Sequence, residues 1–265
     1  QISNPETPSI EASLNTPGYA RDVMFLGGQI YVSDGLSGLA VIGYDSVDEV
    51  FEIIGSLDTP GTAYGMAWAE GLVLIADDYA LRVINAASPS SLVEVISASQ
   101  ESPAFASKVS PVRNEIYVAD ELQGLRIFND AAPTSPSLTS TFDTPGTAHD
   151  VAVAASTADI ADVDGGLRLV DISNPASPLD AGSVAAADAR AVAVDGEYAY
   201  VANGANGLKG IHFFSEPTPP EVSDFIVTGG YIKNVAVAGN YVYLADESNG
   251  LIIVNRFPLS AMTEA

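Results

Sequence analysis

The sequence has no cysteine among its 265 residues, and it has only two histidines. It therefore has no disulfide bond, thiolate metal site or cysteine nucleophile, and it cannot form a three-histidine metal site. No apolar run approaches the roughly 18 residues that a membrane-spanning helix needs. The signatures of P-loop nucleotide binding, nucleophile-elbow hydrolases and zinc metalloproteases are also absent, which excludes the best-marked enzyme classes.

Positive charge is scarce, since 10 Lys and Arg stand against 34 Asp and Glu and the net charge is −24. A field of this sign repels phosphate backbones and anionic membranes, so we expect no nucleic-acid partner and no direct membrane insertion. Solubility in salt and a role for a cation or cationic partner both remain open. The chain begins at Gln1 rather than Met, which predicts that residues upstream were removed.

A phrase of Thr-Pro-Gly type recurs along the chain and is followed each time by a small residue, two variable residues and an apolar residue. The phrase occurs at Thr16-Pro17-Gly18, Thr59-Pro60-Gly61, Ser102-Pro103-Ala104 and Thr144-Pro145-Gly146. The apolar residues that close the six copies are Val23, Met66, Val109, Val151, Val192 and Val235, with spacings of 41 to 43 residues. So constant a period predicts a repeat architecture.

A second phrase of Tyr-Val-Ala-Asp type runs in step with the first, and a Gly-Leu pair follows it in most copies. Each unit thus has four short apolar or alternating runs, separated by Gly, Asn, Asp or Pro, which is the pattern of β-strands. Four strands in about 42 residues is the size of one propeller blade. We therefore predict an all-β fold, a six-bladed β-propeller with four antiparallel strands per blade.

The N-terminus matches the end of the third run of a repeat, because Gln1-Ile2-Ser3-Asn4-Pro5 resembles Asp171-Ile172-Ser173-Asn174-Pro175. The sixth repeat stops after its third run, at Leu251-Ile252-Ile253-Val254-Asn255. We therefore expect one domain over residues 1–255, in which residues 1–15 supply the outer strand of the last blade, at Ile10 to Leu14, and close the ring. Residues 256–265 are a tail.

The fullest copy of the third run reads Gly166-Leu167-Arg168-Leu169-Val170-Asp171-Ile172-Ser173-Asn174-Pro175. This phrase resembles the LVIVD-repeat family of β-propeller proteins, and the resemblance extends through residue 255. It implies a protein exported by a bacterium or archaeon, found at the cell surface, in the periplasm or outside the cell. Most members of the family have no assigned activity, so the resemblance is informative about the repeat and much less about function.

The two residues that begin each first strand should approach the central channel of a propeller. They vary although the rest of the repeat is regular. In chain order the first positions are Arg21, Tyr64, Ser107, His149, Arg190 and Lys233, and the second positions are Asp22, Gly65, Lys108, Asp150, Ala191 and Asn234. Four of the chain's ten basic residues lie here, which predicts a small positive site for a carboxylate, sulfate or phosphate. Alternatively, these bases pair with nearby acids and tie neighbouring blades together.

His149 beside Asp150 has the composition of a general base with an orienting acid. Adjacent residues of a strand point to opposite faces, however, so the two form a dyad only where the strand has a bulge. The aromatic residues Tyr64, Trp68, Phe105 and Tyr231 fall near the predicted channel, where packing is the expected role and sugar stacking the alternative. His212 lies in a third strand, where we expect a structural role.

An Asp or Asn ends the second strand of every repeat. These residues are Asp34, Asp77, Asp120, Asp162, Asn203 and Asp246. A group repeated in every blade is typical of structure, and we expect these side chains to accept hydrogen bonds from turn N–H groups. The densest carboxylate group, Asp159, Asp162 and Asp164, has oxygen ligands suited to Ca²⁺ but lacks the rest of an EF-hand loop.

The sequence favours a non-enzymatic exported propeller whose rim binds a protein or a glycan or supports surface assembly. The alternative is a hydrolase or lyase that acts on an anionic small molecule or polysaccharide at the positive site. If the basic side chains converge on one cavity with few ion pairs, the enzyme is favoured. If each base is paired with an acid, the scaffold is favoured.

Overall fold

The computed structural model describes residues 8–69, 71–78, 80–99, 106–112, 114–132, 134–213, 220–256 and 260–261. For residues 96–99, 106–109 and 260–261 it describes the backbone alone. These residues form 24 strands arranged as six sheets of four, and within these ranges there is no helix. Among the described residues no helix is therefore long and apolar enough to cross a membrane. The chain divides into two compact units, Glu11–Thr141 and Gln1–Ile10 with Phe142–Ala265.

The first unit contains sheets 1 to 3, apart from the last residue of β12. Sheet 1 consists of β1 (Asp22–Leu26), β2 (Gln29–Ser33), β3 (Leu39–Asp45) and β4 (Val50–Leu57). Sheet 2 consists of β5 (Ala63–Ala69), β6 (Leu72–Asp77), β7 (Ala80–Asn85) and β8 (Val93–Ser99). Sheet 3 consists of β9 (Ala106–Val112), β10 (Glu115–Asp120), β11 (Gly124–Asn129) and β12 (Ser137–Phe142).

The second unit contains sheets 4 to 6. Sheet 4 consists of β13 (Ala148–Ala154), β14 (Thr157–Asp162), β15 (Gly166–Asp171) and β16 (Leu179–Val184). Sheet 5 consists of β17 (Ala191–Asp195), β18 (Tyr198–Ala202), β19 (Leu208–His212) and β20 (Glu221–Ile226). Sheet 6 consists of β21 (Ile232–Ala238), β22 (Tyr241–Asp246), β23 (Gly250–Asn255) and β24 (Ser260–Ala261).

Each sheet is an antiparallel meander, in which strands consecutive in the chain are neighbours in the sheet. The second and third strands are the most buried, as in β6, where all six residues are buried. They read as nearly continuous apolar runs because a strand covered on both faces must be apolar on both. The fourth strands are mostly exposed and alternate with polar residues, as in β4 and β16.

Apolar clusters join neighbouring sheets inside each unit. In the first unit, one cluster contains residues of sheets 1 and 2, and another contains residues of sheets 2 and 3. In the second unit, a cluster joins sheets 4 and 5 and another joins sheets 5 and 6. Because a single sheet cannot bury both of its faces, stacking neighbours supplies the core, as in other repeat architectures.

These observations confirm the predicted fold class, an all-β six-bladed β-propeller with four antiparallel strands in each blade. The structure differs at the outer strand of the last blade. Residues 8–14 form no strand, and the fourth position of sheet 6 is held by β24, where Ala261 pairs with Val254. Residues 1–7 lie outside the described residues. The expectation that residues 1–15 close the last blade therefore stays a prediction.

Candidate functional site

In five of the six sheets, a residue that precedes the first strand donates a hydrogen bond to the Asp or Asn at the end of the second strand, and in sheet 3 that preceding segment lies outside the described residues. In sheet 1, the Asp34 carboxylate accepts hydrogen bonds from the Thr16 hydroxyl at 2.6 Å and from the Gly18 N–H at 2.8 Å. In sheet 6, the Thr228 hydroxyl donates to Asp246 at 2.6 Å. The expected structural role of the repeated Asp is therefore confirmed, and its contact with glycine explains why Gly and Asp recur together. The Thr contact belongs to sheets 1 and 6, since the hydroxyls of Thr59 and Thr144 have no hydrogen-bond partner among the described residues.

The glycine of this segment lies directly against the carboxylate. A Cβ atom on Gly61 would overlap Asp77, and one on Gly146 would overlap Asp162, far inside van der Waals contact in both cases. The glycine N–H donates to the same carboxylate, at 3.0 Å from Gly146 to Asp162. The close approach that forms the hydrogen bond is therefore open only to a residue without a side chain.

A β-bulge begins the first strand in four of the described sheets, and the predicted site residues lie in these bulges. In β13, Ala148 pairs with Asp162 and Asp150 with Ala161, which leaves His149 as an extra residue. The same shift leaves Lys233 unpaired in β21, Ser107 in β9, and Tyr64 with Gly65 in β5. A bulge changes the direction of a side chain, so these residues leave the regular alternation of the strand.

In sheet 5 there is no such bulge, and β17 begins one residue later than the aligned strands. The N–H of Arg190 donates to the carbonyl of Ala202 at 2.8 Å, just ahead of β17. Arg21 makes the same bond to Ser33 in sheet 1. Both arginines are thus held at the start of the first strand by the backbone of the second.

Asp22 and Asp150, which were predicted as ligand-binding residues, bind the backbone of the next sheet. Asp150 accepts the N–H of Val151 at 2.9 Å and the N–H of Val192, in sheet 5, at 3.0 Å. Asp22 likewise accepts the N–H of Met66, in sheet 2, at 3.0 Å. The charges that shift the pKa of His149 come from Arg190, Lys233 and Asp188 and not from Asp150, whose oxygens hold two sheets together.

Five side chains of the second unit meet at the starts of β13, β17 and β21, and we call them the tyrosine–cation cluster. They are His149, Asp188, Arg190, Tyr231 and Lys233. The Arg190 Nε donates to Asp188 at 2.6 Å, and its Nη1 lies 3.4 Å from the Nε2 of His149. Arg190 Cζ is 5.8 Å and Lys233 Nζ is 4.6 Å from the centre of the Tyr231 ring. Both cations therefore lie within reach of one aromatic face or edge.

The charges of this cluster shift the titration of its neutral members. Burial lowers the pKa of His149, and the positive charges of Arg190 and Lys233 lower it further, while Asp188 opposes them. His149 is therefore neutral at physiological pH, with one ring nitrogen able to accept a proton. Burial also raises the pKa of Tyr231, and its hydrogen bond with Asp188 raises it further, so the phenol keeps its proton.

Lys233 has an acidic partner at the edge of the cluster, Glu247, whose Oε1 lies 3.2 Å from the Lys233 Nζ. Both side chains are about half exposed, 51% and 57%, so the pair is well solvated and weak. The pair between Arg190 and Asp188 is more buried and shorter. The alternative prediction, in which the bases pair with acids, therefore holds for these two bases.

The strand starts of the first unit are arranged differently. Arg21 lies over the ring of Tyr64, with its Cζ 5.4 Å from the ring centre. Burial raises the pKa of Tyr64, and Asp78 and Glu121 add to this while Arg21 opposes it. Among the described residues Arg21 has no carboxylate partner within ion-pair distance. The side chain of Lys108 lies outside the described residues, and its part in a positive site stays a prediction.

The remaining predicted residues have other surroundings. The Asn234 side chain accepts the N–H of the next residue, Val235, at 2.8 Å. His212 stacks on Tyr198, with ring centres 4.5 Å apart, and its Nε2 lies 3.6 Å from Glu197.

Trp68 packs in the cluster between sheets 1 and 2, as expected for a packing role, with its ring 6.3 Å from that of Tyr31. Phe105 lies outside the described residues.

The three carboxylates predicted as calcium ligands are not brought together. Asp159 is buried, Asp162 is buried beneath Gly146, and Asp164 is exposed in the following turn. Asp159 and Asp162 are three residues apart in β14 and so point to opposite faces. In the part of the chain that the structure describes, no three His, Asp or Glu side chains form a group that could hold a metal ion.

Sequence reasoning missed Asp188, Glu247 and Gly204. Asp188 lies in the turn before β17, so strand alternation does not predict that it faces Arg190. Gly204 leaves room for the cluster, since a Cβ there would overlap the Asp188 carboxylate and lie 3.1 Å from the Tyr231 ring. Glu247 comes from the turn after β22, and no local pattern places it beside Lys233.

The sequence profile of the LVIVD repeat matches five segments that together cover more than half of the chain. These segments are residues 17–43, 106–144, 145–186, 186–221 and 229–263. No curated protein sequence matches the chain.

Several solved structures share the fold at low identity. A putative 6-phosphogluconolactonase from Bacteroides uniformis is 14% identical, with a TM-score of 0.74, over 90% of this chain and 82% of that one. The periplasmic gluconolactonase of Pseudomonas aeruginosa is 14% identical, with a TM-score of 0.76, over 92% and 83%. The β-propeller domain of Cps50 from Myceliophteria thermophila is 12% identical, with a TM-score of 0.70, over 97% and 90%. At these identities the likeness shows the propeller fold alone.

Proposed function

This chain belongs to the LVIVD-repeat family, and from that premise we propose that it is a non-catalytic binding propeller. It works outside the cell and binds a negatively charged group, a carboxylate or sulfate, of a protein or glycan partner. The tyrosine–cation cluster of sheets 4 to 6 is the binding site. Export is typical of the family, and the protein would be recovered from the cell exterior on fractionation.

The observation that carries the proposal is the meeting of Arg190 and Lys233 at the Tyr231 ring, with the neutral His149 against Arg190. Their backbones are held by a bulge or by a hydrogen bond to the second strand, so the donors are organised before a ligand arrives. A ligand that meets organised donors loses less entropy on binding. The guanidinium also offers donors beyond the Nε that bonds Asp188.

The pairing of charges favours binding over catalysis. Asp150, the acid next to His149, is occupied by two backbone N–H groups. Asp188 is occupied by Arg190 at 2.6 Å. A ligand anion can replace Glu247 at the exposed Lys233, because that ion pair is weak, and can then accept hydrogen bonds from Arg190.

The test measures binding of sodium glucuronate, with glucose as the neutral counterpart, by calorimetry at constant ionic strength. Arg190→Gln is compared with Arg168→Gln, which removes the same charge from an ion pair with Asp180 in sheet 4. We expect glucuronate but not glucose to bind. Loss of one charge-assisted hydrogen bond should weaken binding by roughly tenfold to a hundredfold in Arg190→Gln, whereas Arg168→Gln should bind like the wild type.

Equal binding by the two variants would place the anion elsewhere and overturn the site. Absence of binding to glucuronate and to sulfate alike would overturn the proposed function.

A hydrolase is the second candidate, favoured by one observation, the depressed pKa of His149, which suits a general base near neutral pH. Two of the similar structures are described as gluconolactonases, so gluconolactone is the substrate to test. Turnover that is lost in His149→Ala and kept in Arg168→Gln would support this candidate. Rates equal to the spontaneous hydrolysis in both variants would exclude lactone hydrolysis.

A further inference from the structure

Asp159 occupies a position at which the other five repeats have a large apolar or aromatic residue. The aligned residues are Tyr31, Leu74, Tyr117, Tyr200 and Tyr243. Asp159 is nonetheless only 2% exposed, in the middle of sheet 4. Asp159 thus places a carboxyl group where the other repeats have a core side chain, and this carboxyl group is not exposed to solvent.

The surroundings of Asp159 are apolar. Its cross-strand partners are Ala152 on β13 and Leu169 on β15. Both belong to the cluster that packs sheet 4 against sheet 5, where β17 contributes Val192 and Val194. The Oδ1 atom of Asp159 has no hydrogen-bond partner among the described residues. An ionised carboxylate in such a place lacks compensation, so burial raises its pKa to about 7.

The charged groups that face this cluster do not offset a negative charge on Asp159. On its own sheet they are Asp150, which bonds two backbone N–H groups, and Asp171, which bonds the N–H of Ser173. On sheet 5 they are Arg190, whose Nε pairs with Asp188 at 2.6 Å, and Lys209, whose Nζ donates to the Ala185 carbonyl at 2.7 Å. Asp150 and Asp171 carry the same sign as the Asp159 carboxylate, Arg190 is neutralised by its own acid Asp188, and Lys209 is bound at the edge.

We propose that Asp159 makes the packing of sheet 4 on sheet 5 sensitive to pH. Below neutral pH the protonated carboxyl is accommodated in the apolar cluster, and the two sheets pack tightly. Above neutral pH the carboxylate favours an opened interface that lets in water. The same interface carries the Asp150–Val192 hydrogen bond and the contact between His149 and Arg190, so its opening loosens the proposed binding site.

The direction in which stability changes with pH follows from the pKa values of Asp159 in the folded and unfolded states. The folded-state value is about 7, above the value of about 4 in an unfolded chain. The stabilisation is therefore complete below about pH 4, decreases as the pH rises from about 4 to 7, and is gone above that range. Between these values the unfolding constant should rise about tenfold per pH unit relative to a variant that cannot ionise.

The experiment compares urea unfolding of the wild type, Asp159→Asn, Asp159→Tyr and Asp164→Asn between pH 4 and 8. Asp164→Asn is the control, since it removes an equal charge from an exposed turn of the same sheet. We expect the stability difference between wild type and Asp159→Asn to change by roughly three decades in the unfolding constant across the range. Asp164→Asn should follow the wild type, and Asp159→Tyr, which restores the residue of other repeats, should lack the pH dependence.

A second readout uses the intact protein and does not depend on glucuronate binding. Exchange of the Val192 amide, corrected for its intrinsic pH dependence, should become faster above pH 7 in the wild type and not in Asp159→Asn. Parallel stability profiles for wild type and Asp159→Asn, or a carboxyl resonance of Asp159 that titrates near pH 4, would overturn the proposal.

Discussion

The two ends of the segment before each first strand behave in opposite ways. At its beginning, Thr and Gly bind the repeated Asp of the second strand, as in Thr16, Gly18 and Asp34. At its end, the residues differ from sheet to sheet and contact one another, as His149 and Arg190 do. The residues at the first end repeat because they form the same hydrogen bond to the Asp or Asn at the end of the second strand in sheet after sheet. The second end is free to vary because bulges turn it out of the packed strands, so it is where a function specific to this protein can lie.

The largest loss of folding stability is expected from a substitution of the repeated Asp at the end of a second strand. Asp77 is fully buried and forms an ion pair with Arg82 at 3.0 Å, which also bonds Glu94. Asp77→Ala should destabilise the protein by about 3–5 kcal/mol, because it leaves a buried guanidinium without its main partner. Urea unfolding measures the change. The double variant Asp77→Leu with Arg82→Met should recover much of the loss, and a double variant as unstable as the single one would contradict the ion-pair explanation.

A loss of stability of intermediate size is expected for the two aspartates at the variable positions that bind the backbone of the next sheet. Asp150→Ala removes the acceptor for the N–H groups of Val151 and Val192 and should cost about 1–3 kcal/mol. Asp22→Ala, which frees the Met66 N–H, is the matched variant in the first unit and should cost a similar amount. A change below about 0.5 kcal/mol in both, well short of a lost buried hydrogen bond, would show that water replaces these bonds freely.

The smallest effect on stability is expected in the tyrosine–cation cluster itself. Lys233→Gln removes an exposed ion pair and should change stability by less than about 1 kcal/mol. It also removes a positive charge that holds down the pKa of His149, so that pKa should rise. An NMR titration of the His149 ring measures it, with His212 as the internal reference. An unchanged pKa for His149 alongside normal stability would mean that Lys233 does not act on the histidine.

The repeat made the fold and a structural role for the repeated Asp predictable from the sequence, because a role repeated in most sheets leaves a repeated residue. The bulges could not be predicted from the sequence. The face on which a side chain lies is inferred from strict alternation along the strand, and a bulge adds one residue that breaks this alternation. The sequence also contained no indication that Asp150 binds the N–H of Val192 in the next sheet. Neither Asp188 nor Glu247 was detectable, because each is carried by a turn that meets its basic partner only in the folded sheet.

The sequence by itself determined that this chain is an all-β propeller of six repeats, that the repeated Asp has a structural role, and that one short stretch per repeat varies. These features follow from periodicity and local chemistry, which are written in neighbouring residues. The tertiary structure alone decided which variable residues meet, with Arg190 between His149 and Tyr231, and that β24 completes sheet 6. It also decided that Asp159 lies in an apolar interface. Those outcomes depend on how one sheet packs on the next, and no stretch of neighbouring residues encodes that packing.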